Sequence, residues 1–261
     1  MENRQIPGAA GNIPIRLYSA RTDGHLPMFV FFHGGGFVTG SLDTHDVPLR
    51  AIANLCECLI VSVGYRLAPE HHYPAETEDA YATTKWVADH AGDIGGDAGR
   101  IAVGGDGAGG NIAAVVTLMA RDRGAPRITY QVLIYPILDF SMLTRSWIGS
   151  QDPILTSDAM LAQWGAYVPV NTDPEIPYIS PANGDLHKLP PALIMVASDD
   201  PLLDEDNQYA IDLRKAGVSA DFVNDPGVIH GFFLMAGELD GARKSLDKIA
   251  AALRQSFQAA P

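Results

Sequence analysis

Residues 105 to 110 read Gly-Asp-Gly-Ala-Gly-Gly, between an apolar run, Ile101-Ala102-Val103-Gly104, and a small-residue stretch that opens Asn111-Ile112-Ala113-Ala114-Val115-Val116. A strand, a sharp turn and a helix in that order are the setting of the G-x-S-x-G nucleophile elbow, in which the central residue presents an attacking oxygen. Here the pattern is Gly105-Asp106-Gly107-Ala108-Gly109, and the central residue is Gly107. Three further segments carry the chemistry that accompanies such an elbow. Phe29-Val30-Phe31-Phe32 ends in His33-Gly34-Gly35-Gly36-Phe37, and successive glycines let backbone amides approach a ligand oxygen without Cβ interference. Leu193-Ile194-Met195-Val196-Ala197 ends in Ser198-Asp199-Asp200-Pro201-Leu202, and Ala220-Asp221-Phe222-Val223 leads through Pro226-Gly227 to His230-Gly231-Phe232. Glycine loop, elbow, acid and histidine together describe acyl-transfer chemistry with one missing hydroxyl.

A histidine base needs a carboxylate on its second nitrogen to fix tautomer and orientation. Asp199, Asp200 and Asp204 compete for that place. Asp200 is favoured because the following proline biases it to an extended strand-end conformation, whereas Asp204 belongs to the acidic first turn of a helix. His33 reads as a structural residue hydrogen-bonded beneath the glycine loop. Asp106 reads as a backbone-bonding residue, since the elbow offers only its centre to the cleft. Arg66 and Glu70 read as a buried scaffold pair, and His45, His71 and His72 as loop histidines. No metal set is evident and no cofactor is called for.

Those residues must be carried by a frame, and the apolar runs supply one. Strands are expected at 13–18, 28–32, 58–63, 101–104, 130–135, 192–197 and 219–223. Helices are expected at 44–55, 75–90, 109–122, 157–168, 202–216 and 238–257. Strands alternating with helices imply crossover connections and a mostly parallel sheet. Ligands of such sheets bind beyond the carboxyl ends of the strands, where His33, Gly107, Asp200 and His230 all fall. The chain from Asp139 to Ser180 is less regular and carries Trp147, Met160, Trp164 and Tyr167, so it reads as a cap over the site or as a surface helix packed on the domain.

The segments His33-Gly34-Gly35-Gly36, Tyr65-Arg66-Leu67-Ala68-Pro69-Glu70, Gly105 to Gly110, Asp200-Pro201-Leu202 and His230-Gly231-Phe232 resemble those of the hormone-sensitive-lipase-like carboxylesterases, bacterial family IV of the α/β-hydrolase superfamily. The resemblance runs from about Ile6 to the last helix. It implies an α/β-hydrolase fold with a mostly parallel central sheet of about eight strands flanked by helices, as a single domain over 1–261 with a cap-like insertion at 139–180. It implies Asp200 as the acid, His230 as the base and the amides of Gly35, Gly36 and Ala108 as the oxyanion hole. It also implies a small-molecule ester or acyl ligand, with the last strand and the 238–257 helix as a surface for a homodimer. The sequence departs from the family twice. Gly107 stands where the nucleophilic serine is expected, and Ile13-Pro14-Ile15-Arg16-Leu17-Tyr18 is already a strand where family members carry N-terminal cap helices.

The glycine leaves three readings open. It is an introduced knockout of a working esterase, or the mark of a natural pseudo-hydrolase that binds a small acyl ligand, or the serine's duty has moved elsewhere. Thr39, Ser41 and Ser198 lie off the elbow and give the third little support. An apolar acyl pocket is expected from Phe37, Val38, Trp164, Ile229 and Phe233, which suits uncharged short to medium acyl esters.

Composition sets the outer bounds. A chain of 261 residues with 47% hydrophobic residues fits one large domain. No apolar stretch approaches the roughly 20 residues of a membrane span. Met1-Glu2-Asn3-Arg4 begins no signal peptide, so a cytoplasmic protein is expected. The net charge of −13 disfavours nucleic acid and anionic membranes as partners. Cys56 and Cys58, two apart, are expected to be ordinary small residues at a helix-to-strand junction.

Overall fold

The computed structural model describes residues 1–21 and 24–259. Two antiparallel strands, β1 (Glu2–Gly8) and β2 (Gly11–Tyr18), precede β3 (Leu26–Phe32), α1 (Asp46–Cys56), β4 (Leu59–Val63), α2 (Ala75–Asp89), β5 (Gly96–Asp106) and α3 (Ala108–Arg123). The chain continues through β6 (Tyr130–Ile134), α4 (Arg145–Gly149), α5 (Ser157–Tyr167), β7 (Ala192–Ala197), α6 (Leu203–Lys215), β8 (Ala220–Asp225) and α7 (Asp240–Ala259). Among the described residues these strands form one eight-stranded sheet in the order β1-β2-β4-β3-β5-β6-β7-β8. β2 pairs antiparallel with both β1 and β4, and every pairing from β4 through β3 to β8 is parallel. The mostly parallel sheet is the one that the alternating pattern implies, and the architecture is the α/β-hydrolase fold that the resemblance implies.

Composition explains the layering. Met28 to Phe32 in β3 and the whole of β6 and β7 are buried, because parallel strands are covered by helices on both faces and so read as continuous apolar runs. α3 packs closely on the sheet, and that approach requires glycine. A Cβ on Gly109 would fall 2.0 Å from the carbonyl oxygen of Phe32. β1 escapes the sequence reading for the opposite reason: Glu2–Gly8 is an edge strand in which Ile6 alone is buried.

The insertion between β6 and β7 contains α4 and α5, each started by a threonine. Thr144 accepts from the Trp147 amide, and Thr156 from the Ala159 amide. One side chain fixes its two stems. The Asn111 amide of α3 donates to the Ile137 carbonyl at 2.7 Å and to the Ile179 carbonyl at 2.8 Å. Glu205, buried on α6, accepts from the amides of Leu138 and Asp139 and from the Trp147 indole.

Two local expectations are corrected here. Cys56 and Cys58 are joined as a disulfide across the turn from α1 to β4, where Glu57 adopts a left-handed conformation that brings its neighbours together. Arg66 does not pair with Glu70, which is exposed. Its guanidinium grips Asp79 with contacts of 2.7 and 2.8 Å, because α2 presents that buried carboxylate to the loop. Among the described residues no helix is long and apolar enough to cross a membrane.

Candidate active site

The carboxyl ends of β3, β5, β7 and β8 deliver the glycine loop, residue 107, Asp200 and His230 to one place. Gly107 follows β5 directly, with φ 53° and ψ −115°, and caps α3. Its amide donates to the Ile134 carbonyl, and its own carbonyl accepts from the amides of Asn111 and Ile137. The turn is thus held from both sides, in a conformation that residues with a Cβ adopt only under strain. A Cβ built on Gly107 would meet a single atom within 4 Å, Nε2 of His230 at 4.0 Å. A hydroxyl one bond further out has space and lies within reach of that nitrogen.

Nδ1 of His230 lies 3.0 Å from Oδ2 of Asp200. An ionised carboxylate only accepts, so Nδ1 carries the proton and Nε2 is left as an acceptor toward residue 107. Of the three candidate acids, Asp200 is the one brought to the imidazole. Asp199 is exposed, and Asp204 instead accepts from the Ser146 amide at 2.9 Å. Asp200 is buried, and its other oxygen accepts from the Leu202 amide at 3.0 Å. Burial of His230 pulls its pKa down, but the charge and hydrogen bond of Asp200, with Asp152 and Asp106 further off, outweigh burial and raise it above 6.5. Asp152, from the insertion, also accepts the His230 amide at 3.1 Å and the amides of Ile154 and Leu155 at 2.8 Å each.

The glycine loop is braced from beneath. Gly34 donates its amide to Oδ1 of Asp106 at 2.8 Å, and Nδ1 of His33 lies 2.9 Å from the Gly34 carbonyl while its ring stacks on Tyr65. His45 is no simple loop histidine. It is buried, with Nε2 2.9 Å from Oδ1 of Asp106 and Nδ1 2.8 Å from the Thr44 hydroxyl. Burial opposes ionisation of Asp106, but the charge and hydrogen bond of His45, with the Gly34 amide, hold its pKa below the usual value. Among the described residues the amides of Gly35, Gly36 and Ala108 have no protein acceptor, and all three residues line one cavity with Gly107 and His230.

That cavity measures about 420 Å³. Its apolar wall comes from Tyr135, Ile137, Ile154, Leu155 and Leu234, and Gln163 of α5 adds an amide. None of the five residues expected to form the acyl pocket lines it. Phe37 is buried in a stack with Tyr167 at 3.9 Å between centroids, and Trp164 packs beside it at 5.7 Å. Phe233 is buried against Phe31, and Val38 packs on the core. Ile229 faces a neighbouring cleft with Arg145 and Asp204. Apolar type marks a residue as internal without saying which interior it joins. Ile154 and Leu155 carry no motif. Asp152 and Gln163 read as ordinary surface residues of the insertion, so no signal in the sequence singles them out.

Comparison with known proteins gives this geometry a lineage. The family model described as the alpha/beta hydrolase fold matches residues 29–234. The chain belongs to the α/β-hydrolase family. The proteins it is similar to include several esterases. It is 41% identical to the carboxylesterase NlhH of Mycobacterium tuberculosis, over 95% of this chain and 80% of that protein. It is 43% identical to the esterase LipI of the same species, with the same two coverages. The solved esterase of Pyrobaculum calidifontis superposes with a TM-score of 0.96 at 46% identity, covering 100% of this chain and 85% of that one. By lineage, then, this α/β hydrolase is of the carboxylesterase type.

Proposed function

We propose that this α/β hydrolase is built to cleave uncharged carboxylic esters with short to medium acyl groups, and that the chain as it stands lacks the attacking hydroxyl. The observation carrying this reading is the empty position at Gly107, whose missing side chain would meet only Nε2 of His230. In the complete reaction, a hydroxyl there adds to the ester carbonyl while its proton passes to Nε2, and His230 then gives that proton to the departing alcohol. The amides of Gly35, Gly36 and Ala108 receive the negative oxygen, and Asp200 steadies the imidazolium. The acyl group lies along Ile137, Ile154, Leu155 and Leu234, which have no charge to offer a charged substrate.

No other hydroxyl in the cavity is placed to substitute. Thr39 donates to the Gly35 carbonyl at 3.0 Å, Thr44 to the Ser41 carbonyl at 2.9 Å, and Tyr135 is turned toward Asp106. Loss of the serine from such a triad costs on the order of 10⁶ in turnover, with about 10³ to 10⁴ over water surviving from binding and the oxyanion hole.

Gly107→Ser, assayed on short p-nitrophenyl esters and with a fluorophosphonate label, tests the proposal. Hydrolysis and labelling in the variant, with neither in the unsubstituted chain, is the expected result. A folded variant that stays inert, while the unsubstituted chain binds an acyl ligand tightly, would instead make this a binding protein on a hydrolase frame. Amide turnover exceeding ester turnover in the variant would reassign the substrate class.

A further inference from the structure

The insertion sends one hydrogen-bonding head group into the cavity, and it arrives at the glycine loop. Gln163 lies on α5, whose other neighbours in the cavity wall, Ile154 and Leu155, are apolar. A Cβ on Gly36 would fall 2.0 Å from Cδ of Gln163, 2.2 Å from Oε1 and 2.4 Å from Nε2, so the amide rests directly on that glycine. Gly36 has φ 61° and must be bare for this contact to exist. Among the described residues the Gln163 amide has no hydrogen-bond partner in the protein.

Its position is fixed rather than incidental, because α5 is fastened around it. The Tyr167 hydroxyl donates to Glu76 at 2.7 Å, the Tyr73 amide to the Tyr167 carbonyl at 3.0 Å, and Nδ1 of His72 lies 2.7 Å from the Ala166 carbonyl. Trp164 and Tyr167 stack on Phe37, the residue that follows the glycine loop. Loop and helix therefore form one packed unit, with the Gln163 amide at their junction.

We propose that Gln163 is an additional hydrogen-bond donor to the carbonyl oxygen of a bound ester, supplied by the cap beside the backbone amides of Gly35 and Gly36. This assignment rests on the ester-binding reading of the cavity and extends it. A neutral amide serves here because it donates to oxygen as negative charge develops without adding a cation that would favour the carboxylate product.

Two measurements test it. The first uses the unsubstituted chain and the monoanion of methyl butylphosphonate, a stable tetrahedral oxyanion, titrated by calorimetry. Gln163→Leu is expected to weaken binding about tenfold, the loss of one hydrogen bond to a charged group. Gln163→Glu, which sets a carboxylate against the anion, is expected to weaken it further. Equal affinity in all three proteins overturns the assignment, as does a lack of phosphonate binding by the unsubstituted chain. The second uses the Gly107→Ser background with p-nitrophenyl butyrate. There Gln163→Leu is expected to lower kcat and kcat/KM together by about tenfold with KM unchanged, as for an interaction made in the transition state. A rise in KM alone overturns the assignment and leaves Gln163 as packing. Should Gly107→Ser be inert while phosphonate affinity still falls in Gln163→Leu, the hydrolytic reading fails and the donor assignment stands.

Discussion

The Tyr167 hydroxyl donates to Oε1 of Glu76 at 2.7 Å, joining the end of α5 to the first turn of α2 in a buried contact. Oε2 of Glu76 is buried with no partner, so nothing there solvates the charge of an ionised carboxylate. Burial pushes its pKa up to about 7, against the opposing hydrogen bond from Tyr167. A carboxyl that holds its proton more tightly when folded contributes stability below its ordinary value of 4.5, and that contribution is lost as pH rises through about 7. The melting temperature should therefore fall between pH 4.5 and 7, and Glu76→Gln should flatten the slope. An unchanged slope in Glu76→Gln would remove Glu76 as its source.

The backbone at residue 107 makes a separate prediction about stability. Its φ of 53° and ψ of −115° cost a side chain about 1–3 kcal/mol. A serine also restricts the unfolded chain, worth roughly 0.5–1 kcal/mol in the opposite direction. Gly107→Ser should be neutral to mildly destabilising, lowering the melting temperature by at most about 5 °C. A variant that melts clearly higher contradicts the strain.

The Asp200–His230 pair sets the pH response of that same variant. Only neutral His230 accepts a proton, and its pKa is raised by Asp200 against the effect of burial. Activity should rise with pH through a midpoint above 6.5. Adding Asp200→Asn should move the midpoint down and cut kcat by about 10⁴, since the imidazole loses the partner that fixes its tautomer. A rate profile indifferent to Asp200 would detach it from the chemistry.

Asp106 holds the loop through buried charge. Asp106→Ala strips the acceptor from the Gly34 amide and from His45 together. Breaking a buried pair of this kind costs about 3–5 kcal/mol, or roughly 10 °C in melting temperature. Differential scanning calorimetry reads this directly, and a loss of only a degree or two would show that the loop supports itself.

Much of this was legible because backbone chemistry leaves strong marks. Parallel strands such as Phe29 to Phe32 are apolar throughout, and the sites at their ends follow from topology alone. The carboxylate that meets His230 was legible too, because Asp200 precedes proline where Asp204 begins a helix. Side-chain partners were not. Glu70 is near Arg66 in sequence, yet α2 brings Asp79 closer in space. His45 and Asp106 are far apart in the chain and meet only once β3 and β5 pair. Phe37, Trp164 and Phe233 were expected in the acyl pocket and are buried elsewhere, because the stack behind the glycine loop and the cavity beside it draw on the same residue types.

Asn111 ties both stems of the insertion to α3 through one amide. The spacing of those roots is therefore independent of whatever lies between them. Evolution, or an engineer, can vary the segment between them to retune ligand choice, provided that an acceptor for the His230 amide is kept where Asp152 now stands.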